Sequence, residues 1–484
     1  MESLFPIRRQ WSRMAVAIPV VALLLVVSTG SAWAQQSGGN SSSETSSEGG
    51  STEQGGEALS DDGKEIERSA SGSGEGIDID VSVSGRRVLI PMAVPDTKEP
   101  SGDTGGVAMR VQEILRKDLT LSGFFKVLPP DSYFFDTDKE GMSALEINFK
   151  NWFNVGAQGV IKSAVRVEDD KVKLDLRLYK VDTEQRVSLE WSAGSTSKDD
   201  YEKKVHEFVN AVLKHYTGKE GVFGTKIAFV KRDDSGSKQI FVSQMDGSNR
   251  VQVTDNESIN LLPSWGNGAV FYTSYRHHNP DLWRYKGGEH KKVSSRKGQN
   301  SGGDYCGGKL ALTLSMGGEN ADIYLVSPED GSTHKRLTDN WAIDTSPTWS
   351  PDCSKIAFVS GRSGSPQIYV MNADGSDKKR LTFKGSYNTS PDWSPKGEKI
   401  AFTARDKFNH FDIFLVDLDG NLTRLTQDQG NNEEPSFSPD GRYVIFSSDR
   451  GGKGNRLWLM TADGQIQKPI TPNEAGFSAP AWKQ

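Results

Sequence analysis

Histidine and cysteine, two residues that often carry catalysis, are scarce in this sequence. Its seven histidines show none of the ligand spacings that are typical of a metal site. The motif G-x-S-x-G, which marks the nucleophile of an α/β-hydrolase, is absent. We therefore expect no catalytic residues, no bound metal and no cofactor.

Basic stripes and long apolar runs are lacking as well. The formal net charge is −6 and no basic stripe is present, so nucleic acid is not an expected partner. One apolar run, Met14–Val27, follows three arginines and precedes Ala32-Trp33-Ala34. It is too short to span a bilayer comfortably and has the layout of a secretory signal. We predict that residues 1–34 are a signal peptide cleaved near Ala34, and that the exported protein does not insert into a membrane.

Two regions precede the main repeat. Residues 35–76 are almost entirely Ser, Gly, Glu, Gln and Asp without an aromatic, which predicts a disordered acidic tether. Residues 77–220 alternate strand and helix patterns, which predicts a small α/β domain. Its strands are predicted at 87–91, 124–128, 159–167, 172–181 and 186–191, and its helices at 108–121, 144–153 and 199–216.

A repeat organises the rest of the chain, residues 221–484. Its clearest unit, Pro347 to Thr382, holds four short strand patterns, with Asp374-Gly375 as the turn between the last two. A turn glycine and a Leu-Thr-like ending recur in each unit, in step with an aromatic residue. The aromatic residues are 40, 44, 44, 44 and 45 residues apart, at Trp265, Tyr305, Trp349, Trp393, Phe437 and Trp482. Four-stranded units at this period predict the blades of a β-propeller.

The two ends of the repeat predict the number of blades. The first unit begins directly at its second strand, near Lys226, whereas the chain ends with an isolated first-strand pattern, Pro480-Ala481-Trp482. A C-terminal strand that completes the first blade would remove two exposed sheet edges. The predicted fold is therefore mainly β: a six-bladed β-propeller, closed by its C-terminal strand and preceded by a small α/β domain.

The only two cysteines, Cys306 and Cys353, fall near the same turn of successive blades. An exported protein allows a disulfide there. The turns of adjacent blades usually diverge outward, however, and a disulfide needs Cα atoms within about 7 Å of each other. We therefore expect this pair to be unbridged.

Short polar residues lie just before the Pro-x-aromatic pattern of several blades. They are Asp344, Thr345, Asn388, Thr389, Asn432 and Glu433. In a four-stranded blade, the loops leading into the first strand and the loops joining the second and third strands lie on one face. Polar side chains repeated around that face would form a funnel suited to binding a peptide or protein. The alternative is that these residues merely begin strands, and composition does not separate the two.

The blade motifs carry a family resemblance. They read Trp349-Ser350-Pro351-Asp352, Trp393-Ser394-Pro395-Lys396-Gly397 and Phe437-Ser438-Pro439-Asp440-Gly441. With the order of signal peptide, α/β domain and six blades, residues 77–484 resemble the TolB family of the Tol-Pal system. The resemblance implies a monomeric, non-enzymatic periplasmic adaptor that supports outer-membrane integrity and cell division. Its propeller mouth would bind the peptidoglycan-associated lipoprotein, and its N-terminus would bind the C-terminal domain of TolA.

The resemblance also extends to particular positions. Two family contact positions match Gln299, with Asn300 beside it, and Thr345. The family's N-terminal, TolA-binding strand matches a stretch that the acidic tether precedes here, so that this stretch is no longer a free end: Ile77, Asp78, Ile79, Asp80 and Val81. Blades 2 and 3 also depart from the family motif, because Gly-Asn-Gly follows Trp265 and Cys-Gly-Gly follows Tyr305.

A second class of function is also compatible with a propeller. The chain would then be a periplasmic hydrolase or lactonase with its site in the central channel. That function requires carboxylates and a metal that converge on the propeller axis.

Overall fold

The computed structural model of the protein describes residues 88–192, 194–316, 320–427 and 429–484. The predicted signal peptide, the predicted acidic tether and the predicted TolA-binding stretch, residues 77–81, lie outside these ranges.

An α/β domain comes first in the described chain. Its strands are β1 Ile90–Ala93, β2 Phe125–Val127, β3 Gly159–Glu168, β4 Lys171–Lys180, β5 Gln185–Arg186 and β6 Ser195–Ser197. They form one sheet with the order β2-β1-β3-β4-β5, and β6 pairs with β4. Strand β1 is parallel to β2 and β3, whereas β3 and β4 are antiparallel. The α-helices are α1 Val107–Leu121, α2 Phe149–Val155 and α3 Tyr201–Thr217, and short 3₁₀ turns occupy Pro130–Ser132, Thr137–Lys139 and Ala144–Glu146.

The helices cover both faces of this sheet. Met92 of β1 belongs to the core formed with α1 and α3, whereas the next residue, Ala93, belongs to the core formed with α2. This alternation is what a strand buried on both faces requires. The apolar stripe predicted for α3 is buried, and Gly218 ends the helix with a positive φ of 71°.

Two predicted elements of this domain are wrong. The predicted helix at 144–153 is a 3₁₀ turn followed by α2, because Ile147 is extended and Asn148 caps a new helix by accepting a bond from the Asn151 N–H. The predicted strand at 186–191 pairs with β4 only at Gln185–Arg186. Its apolar alternation reflects packing against the core, where Val187, Leu189 and Trp191 lie partly buried.

The propeller has six four-stranded antiparallel blades, as predicted. Blade 1 consists of Phe477–Trp482, Lys226–Arg232, Lys238–Gln244 and Val251–Gln252; blade 2 of Asn260–Gly266, Ala269–Ser274, Asp281–Lys286 and Glu289–Ser294; blade 3 of Asn300–Cys306, Lys309–Leu314, Asp322–Val326 and Thr333–Arg336; blade 4 of Asp344–Trp349, Lys355–Ser360, Gln367–Asn372 and Lys379–Arg380; blade 5 of Asn388–Trp393, Lys399–Arg405, Phe411–Asp417 and Leu422–Arg424; and blade 6 of Asn432–Phe437, Tyr443–Ser448, Arg456–Thr461 and Gln467–Pro469.

The C-terminal strand closes the ring, which confirms the prediction. It pairs antiparallel with the strand that begins the propeller, with Phe477 opposite Lys231 and Trp482 opposite Ile227. The Trp482 indole Nε1 donates a hydrogen bond to Thr225 Oγ1 at 2.8 Å. The first and last strands of the propeller therefore share one sheet, in which the C-terminal strand pairs with the edge that Lys226–Arg232 would otherwise expose.

The α/β domain packs against blades 6 and 1. One continuous apolar core contains residues of α1 and α3 together with Tyr443 and Ile445 of blade 6 and Phe229 of blade 1. Polar contacts complete this interface: the Tyr443 hydroxyl donates to the Ser122 carbonyl at 3.0 Å, and Lys117 forms an ion pair with the buried Asp246. Tyr443 begins the second strand of blade 6, and Asp246 lies in the turn between the third and fourth strands of blade 1. The α/β domain therefore covers the face with the turns between first and second and between third and fourth strands, and the described part of the chain leaves the other face of the disc open.

Cys306 and Cys353 form a disulfide, so the expectation of an unbridged pair is wrong. Cys306 ends the first strand of blade 3, and Cys353 lies in the turn that follows the first strand of blade 4. First strands are the innermost strands of a propeller, where neighbouring blades are closest and have not yet diverged. The two Cα atoms are accordingly 5.7 Å apart, within the range that a disulfide requires.

This disulfide should stabilise the propeller measurably. It closes a loop with a sequence separation of 47 residues, for which restriction of the unfolded chain contributes about 2–4 kcal/mol. We expect the Cys306→Ser/Cys353→Ser variant to unfold at a clearly lower urea concentration than the oxidised protein. Reductant should lower the midpoint of the wild type to that of the variant and leave the variant unchanged. Equal midpoints for all samples would contradict a stabilising role.

Candidate partner-binding face

The six first strands surround a central channel, and each has a β-bulge halfway along it. At each bulge one residue adopts a positive φ between 47° and 59°; these residues are Leu262, Gly302, Ser346, Ser390, Glu434 and Ala479. The next residue is proline in every blade except blade 3, where it is Gly303. Bulges with these strained and rigid residues turn backbone and proline rings into the channel wall.

In blades 3 to 6, the residue before the aromatic of the repeat links its blade to the next one around this channel. Its side chain accepts the backbone N–H of the aromatic residue in the next blade. Such bonds join Asp304 to Trp349 at 2.7 Å, Thr348 to Trp393 at 3.3 Å, Asp392 to Phe437 at 2.7 Å and Ser436 to Trp482 at 3.0 Å. The two channel aspartates therefore have a structural role.

Burial shifts the titration of the channel carboxyls. It raises the pKa of Asp304 to about 6, against the opposing effect of the hydrogen bonds from Trp349 and Tyr305. Burial, together with the charge of Asp304, raises the pKa of Asp392 to about 8. Outside the channel lining, burial, Glu434 and Asp449 likewise raise the pKa of Glu433, the second residue of the first strand of blade 6, to about 8. Within the described ranges, no three His, Cys, Asp or Glu side chains are placed to hold a metal ion together.

These raised pKa values predict a loss of stability as the pH rises. An aspartate whose folded pKa lies above its unfolded value of about 4 binds its proton more tightly in the folded state, so the free energy of unfolding falls between about pH 4 and pH 8. Asp392→Asn removes this charge and keeps an oxygen that can accept the Phe437 N–H. The variant should melt at the wild-type temperature at pH 5 and at least about 2 °C higher at pH 8. Asp419→Asn, in an exposed turn, is the control. A variant that melts with the wild type at both pH values would contradict an uncompensated charge in the channel.

The mouth face is the side of the propeller that carries the loops leading into first strands and the loops joining second and third strands. Of the eight residues predicted there, all except Gln299 belong to the first strands themselves rather than to the loops. For example, Asp344 pairs with Ser360 and Thr345 with Val359.

Four of these eight residues are fully buried: Asn300, Asp344, Asn388 and Asn432. Each begins a first strand, as in the alternative that the sequence left open. Asn388 shows the arrangement, because its Nδ2 donates to Gln367 Oε1 of blade 4 at 2.7 Å and to the Lys384 carbonyl at 2.9 Å. Thr382 donates to the same Gln367 oxygen at 2.8 Å. We call this set the interblade clasp: the polar residue that begins a first strand, with the Gln or Asp and the Thr of the preceding blade.

The clasp explains two repeated motifs of the sequence. In blades 5 and 6, Asn432 donates to Asp412 at 2.9 Å, and Thr426 donates to the same carboxylate at 2.5 Å. In blades 5 and 6, the Thr of the preceding Leu-Thr ending and the Asn before the Pro-x-aromatic thus bind the same buried side chain. Asp344 differs, since Arg362 of its own blade donates to its carboxylate at 2.7 Å.

The other four predicted residues are partly exposed: Gln299, Thr345, Thr389 and Glu433. Thr345, Thr389 and Glu433 each follow a buried clasp residue, and successive side chains of a strand point to opposite sides. The clasp therefore fixes the strand while the next side chain remains available. Whether these four contact a partner stays a prediction.

Sequence reasoning missed three large exposed aromatics on the mouth face. Trp341 and Phe383 lie in the loops leading into blades 4 and 5, and Phe408 lies in the loop joining the second and third strands of blade 5. The available signal was their position, since all three fall between strand patterns and outside the aromatic repeat.

Among the described residues, no helix is long and apolar enough to cross a membrane.

Residues 213–484 match the family described as TolB beta propeller domain, and residues 77–187 match the TolB amino-terminal domain. The Tol-Pal system protein TolB of Anaeromyxobacter dehalogenans strain 2CP-C is 41% identical over 265 residues, which are 54% of this chain and 59% of that protein. That of Desulfosudis oleivorans is 36% identical over 259 residues, or 52% of this chain and 58% of that protein. These matches thus span less than two thirds of either relative.

The solved structure of TolB from Acinetobacter baumannii has a similar fold. It aligns with a TM-score of 0.69 at 25% identity and covers 82% of this chain and 96% of that one. The six-bladed propeller, its closure by the C-terminal strand and the preceding α/β domain agree with this likeness. Since the propeller family alone matches more than half of the sequence, the chain belongs to the TolB family of Tol-Pal system proteins.

Proposed function

We propose that this chain is a non-enzymatic periplasmic adaptor of the Tol-Pal system. Its mouth face binds the peptidoglycan-associated lipoprotein, and its N-terminal region binds the C-terminal domain of TolA. In this role it supports outer-membrane integrity and cell division. Family membership supports the system, and the geometry of the mouth face supports the site.

One observation carries the binding role. The α/β domain covers blades 6 and 1 on the opposite face. The described part of the chain therefore leaves the mouth face open, where it combines clasped strands with exposed polar and aromatic side chains. Such a surface is rigid before a partner arrives, which lowers the entropy lost on binding. Large aromatic side chains are also the groups most often found at the centre of protein interfaces.

The channel gives less support to the hydrolase or lactonase alternative. The bulges line it with proline, glycine and backbone, and the carboxylates of Asp304 and Asp392 each accept a backbone N–H from the next blade. Groups that are committed to holding blades together are poor general acids or bases, because they must move to reach a substrate.

Calorimetry with the soluble domain of the lipoprotein from the same organism tests the proposal. The exported form of the chain should bind it one to one, with a dissociation constant in the micromolar range or tighter, about −8 kcal/mol or more negative. A separate titration with the TolA C-terminal domain tests the second partner. If the lipoprotein domain gave no heat of binding and did not co-elute with the chain on gel filtration, the adaptor proposal would be wrong.

A further inference from the structure

We propose that the lipoprotein docks off the channel axis, over blades 4 and 5, and that Trp341, Phe383 and Phe408 are its anchors. This inference rests on the proposed function and adds the position and chemistry of the partner's footprint. Six similar blades offer six similar docking positions around the axis, so some local feature must select one.

Exposed aromatic area is that feature. The exposed fractions are 73% for Trp341, 69% for Phe383 and 62% for Phe408. Among the described residues, the one other large exposed apolar side chain on the mouth face is Ile259 of the loop leading into blade 2, at 43%. Aromatic side chains that cluster on one sector of a polar face are typical of interface anchors.

The Trp341 loop is held in place before any partner binds. Asn320 Nδ2 donates to the carbonyls of Asn340 and Trp341, and the Ala342 N–H donates to Asn340 Oδ1 at 3.0 Å. The loop is thereby tied to the neighbouring loop of blade 3. An anchor on such a loop loses little freedom on binding.

The clasp residues hold the Phe383 loop. Asn388 donates to the Lys384 carbonyl at 2.9 Å, and Gln367 Nε2 donates to the Gly385 carbonyl at 2.8 Å. Buried Asn388 would therefore act on binding by positioning Phe383 rather than by touching the partner.

The Phe408 loop adjoins the Phe383 loop. Asp406, which is buried and paired with Arg424 at 3.0 Å, accepts the Phe408 N–H at 2.8 Å. The Tyr387 and Phe411 rings, one from each side of the junction, lie 5.7 Å apart. The two phenylalanines therefore belong to one surface on blade 5, and Trp341 lies at the start of the adjacent blade.

Charge completes the description of the partner. Arg380 lies over the Phe383 ring at 4.9 Å and Lys407 over the Phe408 ring at 5.3 Å, and Lys384 is exposed beside them. The mouth loops around blade 1 carry five exposed acids, whereas the mouth loops of blades 4 and 5 carry one, Asp339. The five are Asp233, Asp234, Asp255, Glu257 and Glu474, of which Glu474 pairs with Lys231 and Arg250. The surface fits a protein that presents apolar side chains bordered by carboxylates, turned so that its acids face blade 5 and avoid blade 1.

Calorimetry with the soluble lipoprotein domain tests this footprint in the exported form of the chain. Trp341→Ala and Phe383→Ala should each weaken binding at least tenfold, and the double variant more. Phe408→Ala and the charge reversal Lys384→Glu should weaken it severalfold, with the second effect reduced at high salt. The matched control is Phe153→Ala, which removes an aromatic that is 70% exposed on the α/β domain; it should leave the affinity within about twofold.

The possible outcomes distinguish a failure of this footprint from a failure of the proposed adaptor function. Wild-type binding that the double variant retains within about twofold would overturn the off-axis footprint and leave the adaptor function intact. An equal loss from Phe153→Ala would also overturn it, since the effect would not be specific to the mouth. No binding by the wild type would overturn both. Melting temperatures of all variants within a few degrees of the wild type would show that the changes report binding rather than folding.

Discussion

Deletion of residues 477–484 should prevent the protein from folding to a soluble monomer. These residues are the first strand of blade 1, and they pair with the strand that begins the propeller. Phe477 is fully buried and Trp482 is 2% exposed, and loss of one large core aromatic alone costs about 3–5 kcal/mol. Losing two removes much of a typical stability of about 5–15 kcal/mol. The deletion also opens the edge of Lys226–Arg232 in blade 1, which other chains can pair with.

Expression followed by gel filtration and thermal melting measures this effect. The deletion variant should appear in the aggregate fraction, or melt far below the full chain. Deletion of Lys483–Gln484 alone is the control, because both residues are exposed and lie after the strand; that variant should melt within a few degrees of the wild type. A soluble long deletion with the melting temperature of the control would mean that ring closure contributes little.

The sequence predicts the architecture well because the blade repeats its own local chemistry. Aromatic, turn glycine and Leu-Thr ending recur in phase, and each has a local cause: a buried first-strand ring, a positive-φ turn such as Gly375 at 84°, and a hydroxyl that caps the clasp. The isolated Pro480-Ala481-Trp482 then required a strand to pair with, and only the blade without a first strand offered one. Closure of the ring by the C-terminal strand could therefore be predicted by counting the first strands against the blades.

Contacts between blades were harder to predict from sequence. The disulfide was missed because spacing places both cysteines at equivalent turns but does not say how close two blades come there. The clasp residues were assigned to an open funnel because Asn and Asp are usually exposed, whereas here Asn388 and Asn432 each donate to a buried side chain about 20 residues earlier, Gln367 and Asp412 respectively. The aromatic sector was missed for a related reason, since nothing in the local pattern of Trp341 or Phe383 shows that their loops lie on one face.

Replacement of Thr345 by Arg should weaken lipoprotein binding at least a hundredfold. Thr345 is partly exposed on the first strand of blade 4, between the buried Asp344 and the bulge at Ser346, whose φ is 52°. Arg362 already neutralises Asp344 at 2.7 Å, so the new guanidinium would have no obvious carboxylate partner. A partner that covers it must desolvate an unpaired charge, which costs several kcal/mol, and each 1.4 kcal/mol or so is tenfold in affinity.

A matched change elsewhere distinguishes this effect from a general one. Thr423→Arg makes the same substitution on the exposed outer strand of blade 5, and it should leave the affinity within about twofold. Both variants should melt close to the wild type, because neither threonine is buried. Calorimetry with the lipoprotein domain measures the affinity of both variants. Equal losses from both substitutions would indicate a non-specific charge effect, and no loss from Thr345→Arg would place the partner away from the inner rim of blade 4.

Loss from Thr345→Arg together with loss from Trp341→Ala would instead define a footprint that runs from the rim of the channel outward over blade 4. That result is the one expected if the clasp, the bulge and the aromatic loop of this blade present a single surface.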